Sequence, residues 1–111
     1  MGELYGLVVH FDVLPGHEAA FDALVAETIE KIRLNEPDTL VYISHKDALS
    51  SPSRRVFYEL YRDFAAFEIH EASSYVQRFL AEEGTHLNGD PVVMHLSSVA
   101  GVLNAGGSTD A

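Results

Sequence analysis

A carboxylate, two phenols and an imidazole fall within one short stretch of the chain, VFYELYRDFAAFEIHEASSYV. Tyr58, Glu59 and Tyr61 lie in a run of β-branched and aromatic residues, which predicts a strand. The run passes through Asp63 into a helical pattern that contains His70. Because so little chain separates them, the helix should pack on the sheet it leaves and bring His70 close to these strand side chains.

His70 is the candidate general base. An unperturbed histidine has a pKa of about 6.5, so it can take up and return a proton near neutral pH. A positioned general base is worth about 10²–10⁴-fold in rate. The residues leave one alternative open, in which His70 packs its helix and hydrogen-bonds a nearby backbone group.

Glu59 is the second candidate catalytic residue. A carboxylate among apolar and aromatic neighbours has to be paired or hydrogen-bonded. Glu59 could orient His70, or it could form an ion pair across a dimer interface, for example with an arginine. Both roles are open, and the ion pair would be purely structural.

Aromatic side chains provide the candidate substrate contacts. The candidates are Tyr42, Tyr58, Tyr61, Tyr75, Phe11 and Phe79. Side chains alternate along a strand, so Tyr58 and Tyr61 point to opposite faces and only one of them can face the helices. Aromatic residues of strands are also common core residues, and this alternative is open for each candidate.

Other kinds of catalytic site are not indicated. The chain has no cysteine, which excludes disulfides and thiolate chemistry, and no Gly-x-Ser-x-Gly nucleophile motif. Six histidines suggest a metal site, but no two have the spacing that places two ligands on one helix face. We therefore expect no metal. His10 is expected in a subunit interface and His45 in solvent.

The charge of the chain narrows the range of partners. Acidic residues number 17 against 7 basic ones, and the formal charge of −10 repels nucleic-acid backbones and anionic lipid. No segment reaches the roughly 20 apolar residues that span a bilayer, and the N-terminus has no basic region typical of a signal peptide. We expect a soluble, cytoplasmic protein.

The order of the elements predicts the fold. At 111 residues the chain suits one domain. The hydrophobic periods predict strands over 4–14, 39–46, 56–62 and 92–102 and helices over 18–34 and 64–82. This β-α-β-β-α-β order is a ferredoxin-like α+β fold, in which two helices cover one face of a four-stranded antiparallel sheet. The predicted inner stripe of the second helix is Ala66, Ile69, Ser73, Val76 and Leu80.

The opposite face of the sheet carries apolar residues and has no predicted element to cover it. An uncovered face of this kind is typical of a subunit interface, which predicts a homodimer or a higher homo-oligomer. The folded domain is expected to span residues 1–103. Residues 104–111 are small, polar and Gly-rich, and we expect a flexible tail there.

In this topology and in several short motifs, the chain resembles the antibiotic biosynthesis monooxygenase family. The matching features are the Pro15-Gly16 turn, the Glu36-Pro37 helix stop, the Tyr58-Glu59-x-Tyr61-x-Asp63 run, and His70 followed by Ser73 or Ser74. The resemblance covers roughly residues 4–100. It implies ferredoxin-like subunits that pair as a dimeric α+β barrel.

The resemblance implies several possible activities. The family includes cofactor-independent, quinone-forming monooxygenases, haem-degrading enzymes, isomerases of signalling molecules, and members without a demonstrated activity. In the haem-degrading relatives, a histidine ten residues after a pocket tryptophan binds iron. If His70 stands at the tryptophan position, the ligand position is Leu80, which cannot bind iron, so haem degradation is not expected.

The leading hypothesis is a monooxygenase without a cofactor, acting on a small aromatic, quinol or polyketide-like substrate and dioxygen. Triplet dioxygen reacts slowly with closed-shell molecules unless they are electron-rich anions, so the protein has to supply a base and donors for an oxyanion. His70 would be the base and Glu59 its support. The alternatives are an isomerase or degradative enzyme for a signalling or stress metabolite, and a non-catalytic dimer that binds a small molecule.

Overall fold

The computed structural model describes residues 3–49 and 51–104, which form four strands, three α-helices and one short 3₁₀ turn. The strands are β1 (Tyr5–Asp12), β2 (Thr39–Lys46), β3 (Arg54–Tyr61) and β4 (Val92–Ser97). The helices are α1 (Glu18–Asn35), α2 (Phe64–Ala72) and α3 (Ser74–Glu82), and the 3₁₀ turn is Glu83–His86. No helix in this part of the chain combines the length and the apolar character needed to cross a membrane.

The four strands form one antiparallel sheet in the order β2-β3-β1-β4. β1 and β3 are therefore the central strands, and Leu7 lies opposite Glu59 in the middle of the sheet. The helices pack on one face of this sheet. The predicted ferredoxin-like α+β fold is confirmed.

The core lies between the sheet and the helices, and the alternation of side chains along the strands builds it. On β1, Leu7, Val9 and Phe11 are all buried. The Phe11 ring packs on Phe57 of β3 with 4.5 Å between ring centroids, and on Phe21 of α1 with 5.3 Å. Aromatic pairs add about 0.5–1.5 kcal/mol beyond the area they bury. This cluster therefore fixes α1 against the middle of the sheet.

The other side of the sheet is an open apolar surface, called the outer face here and represented by Ile43, Tyr58 and Met94. These residues lie on three strands and are 48, 36 and 59% exposed. His10 is exposed on the same face, next to Val92 in the register of β1 and β4. Within the single chain, no described element covers this surface.

The second helical segment is two helices that meet at Ser73, so the prediction of one helix over 64–82 was wrong. Ser73 has an extended backbone, with φ −68° and ψ 147°. Its Oγ donates to the carbonyl of His70 at 2.8 Å and accepts from the Val76 amide at 3.4 Å. Serine is a strongly preferred N-cap, so this side chain begins α3 where α2 ends.

The break changes which residues of the segment face the core. Ile69 was predicted on the inner stripe but is 63% exposed, whereas His70 and Phe79 are only 2 and 4% exposed. Leu80 is on the inner side as predicted, although it is 44% exposed. One extended residue resets the phase of the helical period, so a stripe drawn through an unbroken helix cannot fit both halves. The predicted positions that are buried are Ala66 and Val76.

The other differences concern the ends of elements. β4 ends at Ser97 instead of residue 102, because Ser97 pairs with Tyr5, the first residue of β1, and no strand continues beyond it. The remaining bounds shift by one or two residues: β1 is shorter at both ends, β3 begins at Arg54 and α1 ends at Asn35. The expected tail over 104–111 lies outside the described residues except for Asn104.

Replacement of Ser73 by alanine removes the cap of α3 and the contact that holds the end of α2. We expect Ser73→Ala to lower the free energy of unfolding by about 1 kcal/mol, the usual cost of losing a serine N-cap. Urea unfolding followed by circular dichroism measures this change. Ser74→Ala is the matched control, because Ser74 is the next residue and is exposed. Equal losses in the two variants would contradict the capping role.

Candidate functional site

A cavity of about 220 Å³ lies between the sheet and helices α2 and α3. Most of its wall is apolar and consists of Leu7, Val9, Phe11, Phe67, Val76, Phe79, Leu80, Pro91 and Val93. The polar part of the wall consists of Tyr42, Glu59, His70, Glu71, Glu83 and His95. An apolar pocket with a few converging polar groups is the usual form of a small-molecule site.

His70 lies in the wall of this cavity and is 2% exposed. The Ser73 break ends α2 just after His70, and Asp63 begins the same helix by accepting a hydrogen bond from the Ala66 amide at 2.8 Å. Nδ1 of His70 is 2.9 Å from Oε1 of Glu36. Because the carboxylate can only accept, Nδ1 carries a proton, and in the neutral ring Nε2 has the lone pair that a base requires.

Glu36, the partner of His70, is a functional candidate that the sequence analysis missed. It follows the last residue of α1 and is only 6% exposed. Thr39 donates to its Oε1 at 2.6 Å, and the Tyr75 hydroxyl donates to its Oε2. Burial acts to raise the pKa of Glu36, but the hydrogen bonds from His70, Thr39 and Tyr75 outweigh it and lower that pKa. In the sequence, the only signal was Glu36-Pro37, which indicates a helix end and not a buried carboxylate.

Glu59 lines the same cavity from β3 and is 5% exposed. Its Oε1 accepts a hydrogen bond from the Tyr61 hydroxyl at 2.6 Å. The partner expected for Glu59 was His70 or an arginine. Within the chain, Glu59 bonds to Tyr61 instead, and His70 is oriented by Glu36. Burial raises the pKa of Glu59, against the opposing effects of the Tyr61 hydrogen bond and of His70. A carboxyl group of this kind holds its proton to higher pH than an exposed glutamate does.

Three of the six aromatic candidates reach the cavity: Tyr42, Phe11 and Phe79. The Tyr42 ring lies 5.3 Å from the His70 ring, between centroids. Burial, together with the charge of Glu59, raises the pKa of Tyr42 well above its ordinary value. The Tyr42 hydroxyl therefore stays protonated and can donate a hydrogen bond to a ligand oxygen.

The other three aromatic candidates do not line the cavity. Tyr58 is on the outer face, so of the two tyrosines on β3 it is Tyr61 that faces the helices. Tyr61 is fully buried behind the wall, where its ring packs against His70 at 5.2 Å. The hydroxyl of Tyr75 holds Glu36 and does not face the cavity. Burial and the bond to Glu36 raise the pKa of Tyr75 to about 12.

Three further polar residues of the wall were missed: Glu71, Glu83 and His95. His95 faces the cavity because it lies opposite Leu7 in the β1–β4 register, and its Nδ1 is 2.6 Å from the Tyr5 hydroxyl. The alternation of side chains along β4 could have placed His95 on the helix side of the sheet. Burial and the neighbouring Glu71 raise the pKa of Glu83 to about 7. Glu83 begins the 3₁₀ turn, a position that helical periodicity does not assign to either face.

A metal-binding constellation is not part of this site. Among residues 3–49 and 51–104, no three histidine, aspartate or glutamate side chains are grouped closely enough to hold a metal ion. Leu80, which would be the iron-ligand position if His70 stands where the haem-degrading relatives have their tryptophan, lines the cavity as an apolar residue. What the site does provide is an oriented imidazole, a protonated phenol and carboxyl groups with raised pKa values beside an apolar wall.

Comparison with known proteins identifies the family. The family model for antibiotic biosynthesis monooxygenases matches residues 4–82. No curated protein matches the chain. A crystal structure of a candidate antibiotic biosynthesis monooxygenase from Caulobacter crescentus is 27% identical, with a TM-score of 0.81, and the match covers 87% of this chain and 91% of that one.

Two other solved structures have the same fold. An antibiotic biosynthesis monooxygenase is 27% identical, with a TM-score of 0.77 and a match that covers 86% of this chain and 99% of that one. Rv0793 from Mycobacterium tuberculosis is 24% identical, with a TM-score of 0.77 and coverage of 92 and 98%. At 24% identity, the similarity to Rv0793 concerns the fold alone.

Replacement of Glu36 tests the network that orients His70. We expect Glu36→Gln to lower the free energy of unfolding at pH 7 by about 1–3 kcal/mol, because a buried charged acceptor is lost. The pKa of Glu36 is lower in the folded state than its ordinary value of 4.5. Its carboxylate therefore stabilises the fold above that value, and this contribution is lost as the pH falls through the folded-state pKa.

The difference between Glu36→Gln and the wild type should accordingly shrink as the pH is lowered below about 4.5. Urea unfolding at several pH values measures it. Glu68→Gln is the control, since Glu68 is an exposed glutamate on α2, and surface substitutions of this kind usually change the free energy of unfolding by no more than about 0.5 kcal/mol. A difference that stays constant at every pH would rule out the lowered pKa.

Proposed function

Since the chain belongs to the antibiotic biosynthesis monooxygenase family, we propose that it oxidises a small electron-rich aromatic molecule with dioxygen and without a cofactor. One observation carries the proposal: His70 is buried in the cavity wall with Nδ1 fixed on the Glu36 carboxylate. That bond sets the tautomer and the direction of the ring. Nε2 is then the basic nitrogen available to a substrate.

The proposed reaction begins with the transfer of a phenolic proton from the substrate to Nε2 of His70. The resulting phenolate is electron-rich enough to reduce dioxygen. A phenol with hydrogen on its para carbon gains one oxygen atom there and becomes a quinone, while the second oxygen atom leaves as water. A hydroquinone instead gives two electrons and two protons to dioxygen and yields hydrogen peroxide. Both reactions are balanced without an added reductant.

The other polar groups of the cavity would stabilise the anion that His70 creates. Tyr42 lies beside His70, and its raised pKa keeps the hydroxyl protonated. Glu59, with its raised pKa, is a second group that can hold a proton in the cavity. Donors placed where charge develops are commonly the largest contribution to catalysis. Tyr61 would act through Glu59, and Tyr75 through Glu36.

The volume of the cavity limits the size of the substrate. An apolar protein cavity of about 150 Å³ holds benzene, so one of about 220 Å³ suits a substituted single ring or two fused rings. Phe11 and Phe79 provide aromatic surface for such a ring. A polyketide-like substrate with more rings would have to extend out of the cavity mouth.

Oxygen consumption tests the proposal. We expect the wild type to accelerate oxygen uptake by 1-naphthol, hydroquinone or 1,4-naphthohydroquinone above the rate in buffer, and His70→Ala to lose about 10²–10⁴-fold of that rate because the general base is gone. An oxygen electrode and a peroxide assay measure uptake and separate the two reactions. His45→Ala is the matched control, since His45 is exposed on β2.

A wild-type rate no faster than that of His70→Ala across the panel would remove the proposal for these substrates. Turnover of a compound under nitrogen would instead favour an isomerase or degradative enzyme for a signalling or stress metabolite. A tightly bound small molecule that is never turned over would favour a binding protein.

The second part of the proposal concerns assembly. The outer face exposes apolar side chains on β2, β3 and β4, and a surface of this kind is typical of an interface. A second copy of the chain, packed sheet to sheet, would cover it and form the dimeric α+β barrel. Action in the cytoplasm likewise stays a prediction from the sequence.

A charge on the outer face should break this dimer. We expect sedimentation velocity to give twice the 12.2 kDa mass of the chain for the wild type and a single-chain mass for Met94→Asp. Ile69→Asp is the control, because Ile69 is equally exposed but lies on α2, on the opposite side of the protein. A monomeric wild type would refute the dimer, as would a dimeric Met94→Asp.

A further inference from the structure

Two histidines that are distant in the sequence meet outside the cavity. His17 is the N-cap residue of α1, and His86 ends the 3₁₀ turn that follows α3. They are 69 residues apart, yet their Nδ1 atoms lie 3.2 Å from each other and their ring centroids are 5.4 Å apart. Neither side chain lines the cavity. The spacing of histidines along the chain predicted no metal site, because it cannot reveal a pair that only the fold brings together.

The backbone holds the two imidazoles in place. The Leu14 amide donates to the carbonyl of His86 at 2.9 Å, and the His17 amide donates to the carbonyl of Leu14, also at 2.9 Å. The neighbouring residues Val13 and Leu87 form an isolated antiparallel bridge. Main-chain contacts therefore join the start of α1 to the end of the 3₁₀ turn, and the two rings are brought together before any contact between them forms.

A hydrogen bond between the rings uses this arrangement only in part. A neutral imidazole has one N–H and one lone pair, so one ring would have to carry its proton on Nδ1 and the other on Nε2. At 3.2 Å, such a bond is also at the long end of the usual range. Among residues 3–49 and 51–104, the two imidazoles form no other hydrogen bond.

A divalent transition-metal ion would use both lone pairs. Each ring then keeps its proton on Nε2, and each Nδ1 binds the ion. Zn²⁺ binds histidine nitrogen at about 2.0–2.1 Å in tetrahedral geometry, which separates two nitrogen ligands by about 3.3 Å. A square-planar ion would bring them to about 2.9 Å. The observed 3.2 Å is nearer the tetrahedral value, so the geometry favours Zn²⁺.

The surroundings of the pair determine the rest of the coordination. In the part of the chain that the structure describes, no third histidine, aspartate or glutamate lies close enough to complete a group of three ligands. Both rings are half-buried, so solvent reaches the pair and an ion can enter. The formal charge of −10 attracts cations to the protein. Water molecules therefore complete the coordination, and the ion binds reversibly.

We propose that His17 and His86 form a zinc-binding site, in which the two Nδ1 atoms are the protein ligands and water molecules are the others. The ion ties the start of α1 to the 3₁₀ turn, whose first residue, Glu83, belongs to the cavity wall. An ion that binds only the folded chain stabilises it. The site is separate from His70, and it stands whether or not the proposed oxidation occurs.

Titration with zinc tests the site. Isothermal titration calorimetry of the wild type should give one Zn²⁺ per chain, and Mg²⁺ should not compete, because it prefers oxygen ligands. His17→Gln and His86→Gln each remove one ligand. Each should weaken zinc binding at least about tenfold, since even an outer-shell partner of a metal-binding histidine is commonly worth about 10–100-fold. His45→Ala, which removes an exposed histidine of β2, should bind zinc as the wild type does.

Nuclear magnetic resonance of protein labelled with ¹⁵N-histidine locates the ion. Zinc should shift the Nδ1 resonances of two of the six histidines, and assignment should identify them as His17 and His86. The wild-type spectrum alone decides this, even where a variant does not fold. Zinc should also raise the midpoint of thermal unfolding more in the wild type than in either variant.

A wild type that does not bind zinc overturns the inference. Zinc affinity that persists unchanged in either His17→Gln or His86→Gln overturns it as well, because both imidazoles are required as ligands. The same holds for a spectrum in which zinc shifts other histidines and leaves this pair unchanged.

Discussion

The hydrogen bond between the Glu36 carboxylate and the His70 imidazole is the constraint on which the rest of the site depends. An isolated carboxylate in the protein interior is costly, and Glu36 is tolerated there because three side chains donate to it. The donors come from α2, β2 and α3, while Glu36 itself follows α1. One buried charge thereby joins four elements and sets the ring of His70 in a single tautomer. Such a contact positions a base more firmly than packing alone.

The carboxyl groups around the cavity differ in their pKa values because they differ in donors. Glu36 has three hydrogen-bond donors, and its pKa is lowered. Glu59 has one, and burial raises its pKa. Glu83 has an oxygen without any, and its pKa rises to about 7. Environments that separate the pKa values of neighbouring acids allow one site to contain both a permanent anion and groups able to hold a proton.

The sequence predicted the fold well because period-two and period-3.6 patterns are local and strong. It also named His70, Glu59 and Phe11 as candidates, and the structure brings all three to one cavity. The helical period did not place His70 there, because the predicted inner stripe of the second helix did not include it. Glu36 could not be found this way, because a helix end has no periodic face and its burial results from tertiary contacts. The break at Ser73 could not be predicted for a related reason. In the sequence, a single serine that caps a helix cannot be distinguished from an ordinary polar residue within a longer helix.

β3 serves both surfaces of the sheet at once. Glu59 points into the cavity, and its neighbour Tyr58 points to the outer face. Because the side-chain period of a strand is two, a deletion or insertion of one residue in β3 would exchange these neighbours, turning a carboxylate toward the apolar surface and a phenol inward. Length changes in this strand would therefore disable both surfaces together.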